Sequence, residues 1–147
     1  MNDIVDTVLV GNELDFVIRL AVALLCGFII GIERESRNKP AGISTNSFVI
    51  GGAAMFTFIS LSVDPNSPAR IAAQVVSGVG FLGAGMILKS DGGIVTNLTT
   101  AASVWFSAGI GMAIGFGWYV VAVSAAVYAV IVPRIPHISK WARGKDP

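Results

Sequence analysis

Arg19 stands among apolar residues, Glu33-Arg34-Glu35 closes an apolar run, and Asp64, Arg70, Gln74, Asn97, Thr99 and Thr100 punctuate the runs that follow. An ionisable group inside a membrane span costs about 2.5–3.5 kcal/mol on insertion scales, so each such residue is a functional candidate by default. Arg19 has Asp15 four residues earlier on the same helical face, within pairing distance. Two readings of it stand: an arginine snorkelling to the nearer interface, or one turned into a bundle to meet Asp64 or Gln74. Glu33 and Glu35 flank Arg34. Carboxylates so placed suit a hard cation such as Mg²⁺, which takes oxygen ligands and keeps several waters. They equally suit solvated pairs with Arg37 or Lys39, worth less than ~1 kcal/mol. Asp64 and Asp91, in loops, carry the same ambiguity. Thr100, Ser103 and Ser107 fall at i, i+3 and i+7, one helical stripe. Such hydroxyls hydrogen-bond across helices or line a wet crevice, and Gln74 and Ser77 are the expected partners across the seam. No His/Cys/Asp set has transition-metal spacing, and the one histidine, His137, sits in a basic tail. The expectation is no enzyme and no resident cofactor, with Mg²⁺ the candidate ligand or transported ion.

The elements that position these groups follow from charge distribution. Of the residues, 54% are hydrophobic and only 13% are charged, about half the charged share of a soluble domain. The charges cluster, and Leu20–Ile32, Phe48–Val63, Ile71–Leu88 and Leu98–Val132 contain none. The two middle runs are close to the length that crosses a ~30 Å hydrocarbon core, and the first reaches it when extended back to Leu14 with Arg19 inside. Leu98–Val132, as one helix, would be ~52 Å long, too long even when tilted. Gly109, Gly111, Gly115 and Gly117 place the break near Gly115–Gly117, with Trp118 and Tyr119 at the interface. The sequence therefore predicts an all-α bundle of about five transmembrane helices, a single domain over 1–147, with spans near 14–32, 47–62, 71–88, 98–114 and 117–132. Glu33–Gly42 is expected as a polar loop, Asp64–Pro68 as a proline-broken turn, and Lys89–Gly93 as a third turn.

With five spans, Arg34, Arg37, Lys39, Lys89, Arg134, Lys140, Arg143 and Lys145 share one side, and Arg70 is the lone basic loop residue on the other. The positive-inside rule then puts the N-terminus outside and the C-terminus in the cytoplasm. A re-entrant half-helix over Leu98–Gly111 would violate that rule. The acidic residues before the first run argue against a signal peptide. Cys26, the sole cysteine, reads as a small packing residue. A net charge of +1 gives no sign of nucleic-acid binding.

Gly78, Gly80 and Gly83 formally match G-x-G-x-x-G, but the strand before and the acidic residue after that the dinucleotide fingerprint requires are absent. Glycines this dense in a span, with Gly85, let a second helix approach backbone to backbone, as do Gly27-x-x-x-Gly31 and Gly111-x-x-x-Gly115. An alternative is local unwinding that offers carbonyls to an ion. Asn97-Leu98-Thr99 matches the glycosylation triplet but falls at the predicted cytoplasmic surface.

In order along the chain, these segments resemble the MgtC/SapB family of membrane proteins. The likeness is carried by Gly27-Phe28-Ile29-Ile30-Gly31-Ile32-Glu33-Arg34-Glu35 with Lys39-Pro40-Ala41-Gly42, by Asp64-Pro65 with Arg70-Ile71-Ala72-Ala73-Gln74 through Gly85, and by Leu98-Thr99-Thr100-Ala101-Ala102-Ser103-Val104-Trp105. It departs at Ile43-Ser44-Thr45, where the family usually has a basic residue, and at Pro147, beyond which virulence-associated members carry a soluble domain. The resemblance implies a bacterial or archaeal inner-membrane protein linked to adaptation to low magnesium and, in pathogens, to survival inside host cells. It implies as partner a membrane complex such as the F-type ATP synthase in one regulatory branch. The apolar spans themselves imply the lipid bilayer, and five helices, few for a monomeric carrier, imply a homo-oligomer if the chain transports an ion. The rival is a small Mg²⁺ transporter or channel using Arg19, Glu33, Asp64 and the Gln74/Thr100 seam.

Overall fold

Apolar runs separated by turn residues become five helices in the computed structural model, which describes residues 13–63, 65–89 and 95–135. They are α1 (Glu13–Ser36), α2 (Ile43–Val63), α3 (Ala69–Met86), α4 (Leu98–Gly115) and α5 (Tyr119–Ile131), the last extended by a 3₁₀ turn at Val132–Arg134. At 1.5 Å per residue α1 is ~36 Å long, α2 ~31 Å, and α3 and α4 ~27 Å each. These four are long and apolar enough to cross a membrane. The fifth helix has 13 residues, ~20 Å, and is apolar but shorter than the other four even with the turn that follows. It is shorter than the sequence suggested because the chain spends Phe116–Trp118 on the reversal itself.

That reversal is well determined. Gly117 has φ +79°, its N–H donates to Ile114 O at 2.9 Å, and Trp118 N–H donates to Ala113 O at 2.8 Å. This is the Schellman pattern, which needs a residue free of left-handed strain at that position. Trp118 is exposed, as an interfacial ring should be. α4 runs unbroken to Gly115 before the reversal and is long and apolar enough to cross a membrane.

Two helices reach further than the hydropathy suggested. Glu33–Ser36, expected in a loop, continue α1, since Glu and Arg propagate helices well. The end comes with Asn38 in the left-handed region at φ 50° and Lys39 N–H on Arg34 O. Ile43–Asn46 likewise join α2. Lys89 opens not a bare turn but a small antiparallel ladder, Leu88–Lys89 on Val95–Thr96.

α2 and α4 form the centre. α1 covers one flank, α5 packs against α4 and α1, and α3 packs on α2 and α4. One core cluster joins Ala23, Cys26 and Ile30 to Ile50, Ala54, Ile110, Ile114 and Ala122. A smaller one joins Ala53 to Val75, Val79, Val104 and Ala108. Cys26 is thus the packing residue expected. Mostly small side chains lie inside, and large ones such as Phe48, Phe81 and Val120 face outward. Membrane bundles arrange themselves this way, because lipid is as apolar as leucine and close packing does the holding.

Candidate functional site

Continuation of α1 through Ser36 turns Glu33 and Arg34 into the bundle, where they are only 3% and 2% exposed. Arg34 Nε and one of its terminal nitrogens donate to Pro40 O at 3.1 and 2.9 Å, and the same nitrogen donates to Thr100 Oγ1 of α4 at 2.6 Å. Its guanidinium therefore rests on neutral acceptors, and no carboxylate among the described residues lies within ion-pair distance of it. Glu33 instead pairs with Arg37 at 3.2 Å, and Arg37 also donates to Pro133 O beyond α5. Glu35 Oε1 accepts the Ile43 N–H at 2.9 Å, so one carboxylate caps the next helix. Asn46, fully buried, donates to Ala41 O and Gly42 O at 2.6 and 3.0 Å and accepts from Ser107 Oγ of α4 at 2.8 Å. The 37–42 loop is thereby fixed from three helices, which holds Ala41 in the left-handed region at φ 61°.

A second clamp sits at the far end of the same helix pair. Arg19 pairs with Asp15 at 2.6 Å and donates to Ile114 O at 3.3 Å and to Gly115 O. A cation at a helix C-terminus meets the negative end of its dipole and the carbonyls that lack a partner in the helix. Its guanidinium also lies 5.3 Å from the Phe58 ring. Arg19 and Arg34 thus tie the two ends of α1 to the two ends of α4.

The glycines divide into two groups. A Cβ on Gly27 would lie 2.5 Å from Ser47 Cα, and one on Gly31 would strike the Ile43 backbone. On α4, a Cβ on Gly111 would strike Ile50 O and lie 2.7 Å from Ala53 Cβ, and one on Gly115 would lie 2.7 Å from Ala54 O. On α3, Gly78, Gly80 and Gly85 have nothing within 4 Å, and Gly83 only ordinary contact with Ala101. Between α2 and α3 an apolar groove of about 500 Å³ is bordered by Phe48, Gly52, Phe56, Gln74, Gly78 and Leu82.

Of the polar residues singled out from sequence, Glu33, Arg34, Glu35 and Thr100 gather at one end of the bundle. The Arg19–Asp15 and Glu33–Arg37 pairs are those the spacing offered, whereas the contact of Arg34 with Thr100 is not. Arg19 is turned into the bundle but meets helix carbonyls rather than Gln74; Asp64 lies outside the described residues, as do Asp91 and His137. The expected Gln74/Thr100 seam does not form. Thr100 is taken by Arg34 and Ser107 by Asn46, while Gln74 and Ser77 are exposed on the other face of α3. The reason is helical phase: Ala72, Val75, Val79 and Gly83 are the buried face, which turns Gln74 and Ser77 away. Arg70 is exposed; Asn97 precedes α4 in the left-handed region at φ 63°, and Thr99 is exposed while Thr100 is buried. Among the described residues no group of three or more His, Cys, Asp or Glu converges to hold a metal. Asn46 lies just outside the hydropathy run that begins at Ser47 yet inside the helix, and an asparagine one residue before an apolar run is the only signal the sequence carries for it.

The profile of the MgtC family matches residues 20–138. The chain is 47% identical over 112 residues to Protein MgtC of Salmonella typhimurium (strain LT2), covering 76% of this chain and 48% of that protein. It is 36% identical over 126 residues to Protein SapB of Bacillus subtilis (strain 168), covering 80% and 54%. It is 43% identical over 132 residues to the protein of Escherichia coli (strain K12) named "Putative magnesium transporter YhiD", covering 84% and 61%. The chain spans about half the length of the curated relatives it matches. No solved structure matches it.

Proposed function

The chain belongs to the MgtC family, and from that premise we propose that it is a magnesium-linked regulator of the bacterial inner membrane, without catalytic activity, that acts by lateral helix contact with a membrane partner. The observation that carries this is the open glycine face of α3. Gly27, Gly31, Gly111 and Gly115 each admit a neighbouring helix, whereas Gly78, Gly80 and Gly85 have no neighbour. Small residues on a span let backbones approach closely, and here the approach remains available to another chain. Further support comes from the charges. Arg19, Arg34 and Glu35 are occupied in holding helices together and Glu33 is paired with Arg37, and none of the described carboxylates stands near mid-membrane, where coupled transport sites lie. The F-type ATP synthase is the partner class that the family resemblance suggests, and a homo-oligomer is the alternative use of the same face.

The second reading, a Mg²⁺ transporter, is favoured by the name of the Escherichia coli relative. Sealed proteoliposomes separate the two. The regulator reading expects no saturable Mg²⁺ flux above empty vesicles with wild-type protein whose fold is verified. It also expects that ATP-driven proton pumping by F-type ATP synthase in the same vesicles falls when the protein is added and recovers with Gly78→Leu. Saturable Mg²⁺ flux that Glu33→Gln abolishes would replace it with the transporter reading. Pumping unaffected by wild-type protein would remove the ATP synthase as partner.

A further inference from the structure

A crevice runs along the outside of α4 and α5. Near the α1 C-terminus it is bordered by Thr99, Ser103, Phe106, Tyr128, Val132 and Pro133, with a volume of about 190 Å³. Phe106 and Tyr128, 5.4 Å apart, also border a second, apolar crevice toward Val120, Val121 and Ser124. The two crevices flank this aromatic pair along the α4–α5 seam, and the first carries Thr99 and Ser103 in its lining.

Three observations around Thr99 and Ser103 point the same way. Thr99 and Ser103 are one helical turn apart, and neither hydroxyl has a recorded hydrogen bond, whereas Ser62 and Ser124 close back on the carbonyls four residues earlier. Arg37 is drawn across to Pro133 O, so a guanidinium stands at the mouth, and Arg134 follows it, exposed. Arg34, Arg37, Lys39 and Arg134 outnumber Glu33 and Glu35 at this end of the bundle, which leaves a net positive charge there after the Arg37–Glu33 pair is taken out. Free hydroxyl donors beside guanidiniums suit phosphate oxygens, and the apolar crevices walled by Phe106 and Tyr128 suit an acyl chain.

We infer that the α4–α5 crevice binds an anionic phospholipid, its phosphate at Thr99, Ser103, Arg37 and Arg134 and one chain along Phe106 and Tyr128. This stands independently of the contact face on α3. Basic pockets beside spans recognise anionic head groups in this manner, each cation contributing about fivefold in affinity near the surface.

The test uses the full chain in detergent, with lipid-bound species counted by native mass spectrometry and melting temperature measured alongside, on adding phosphatidylglycerol, phosphatidylcholine or inorganic phosphate. Wild type should retain phosphatidylglycerol in preference to phosphatidylcholine and melt higher with it, and phosphate alone should do nothing. Arg134→Gln should weaken retention about fivefold. Ser103→Phe, which fills the crevice without touching charge, should abolish the preference while leaving the melting temperature in phosphatidylcholine unchanged. Should Ser103→Phe lower that baseline, Thr99→Phe, at an exposed position bordering the same crevice, decides in its place, with the same loss expected. Equal retention of both lipids would overturn the site, as would equal stabilisation by inorganic phosphate. A preference surviving both crevice variants would reduce it to diffuse attraction by the basic end.

Discussion

The α1–α2–α4 unit and helix α3 use the same residue for opposite ends. In the first, glycines are filled: Gly27 and Gly31 seat the backbone of α2 from one side, Gly111 and Gly115 from the other. Polar side chains then lock the register, Arg34 on Thr100, Asn46 on Ser107 and Arg19 on the end of α4. In α3, three of four glycines face open space, and no hydrogen bond recorded for Gln74 ties the helix to its neighbours. Glycine in a span is therefore not informative by itself. What distinguishes an internal joint from an available face is whether a neighbouring backbone lies against the glycine. The MgtC-family chain thus pairs a stitched core with an arm whose small-residue surface is left over.

The largest expected effect breaks the core side of that contrast. Gly111→Ala places a methyl against Ile50 O and Ala53 Cβ, neither of which can rotate away. Overpacking costs typically 1–3 kcal/mol and more where backbone must move, so a loss of about 3 kcal/mol is expected in reversible unfolding from mixed micelles. A loss below about 1 kcal/mol would show that α2 and α4 can slide apart freely. Next comes Arg34→Lys. Charge is retained, but a point-like ammonium cannot serve Pro40 O and Thr100 Oγ1 with the fork of a guanidinium. Leaving one buried acceptor unmet costs about 1–3 kcal/mol. The expected loss is about 2 kcal/mol, accompanied by faster proteolysis in the 37–42 loop, whose Pro40 carbonyl is held from Arg34.

Spans, breaks and membrane setting were legible because they depend on summed hydropathy and on turn residues, which act locally. The hairpin between α4 and α5 came from Gly115–Gly117 alone, and the paired glycines of α1 and α4 were readable as packing residues. Partner choice was not. Amphipathic period normally reports which face turns inward, but a helix in lipid is apolar all round, so the phase that puts Val75 inside and Gln74 outside left only a faint mark, the small size of Ala72 and Gly83. Charges misled for a related reason. Glu33 and Arg34 mark the end of a hydropathy window, whereas the helix itself runs on to Ser36, and it is that extra turn which carries Arg34 to Thr100.

A smaller effect is expected at the other clamp. Arg19→Gln removes the cation from the α4 C-terminus, a contribution of about 0.3–1 kcal/mol at partly exposed sites and up to ~2 kcal/mol in sheltered ones. Arg19 is 14% exposed and its Asp15 partner more so, which sets the expectation at about 1 kcal/mol, half that of Arg34→Lys. Equal losses at the two ends would mean that burial, rather than the acceptor set, governs both.

The smallest effect is the sharpest, because its sign reverses. Gly80→Ala adds a methyl where nothing lies within 4 Å, at an ordinary helical position in α3. With no neighbour to displace, what remains is the lower conformational entropy of alanine in the unfolded chain, worth about 0.4–1 kcal/mol in favour of the folded state. The isolated chain should therefore gain slightly in the same micelle assay in which Gly111→Ala loses heavily. If the face is used for contact, the gain will appear only without the partner, and pull-down from membranes should fall with Gly80→Ala and further with Gly80→Leu. A destabilised isolated chain would instead mean that α3 packs in solution against a second copy already, since within one chain there is nothing for the methyl to meet.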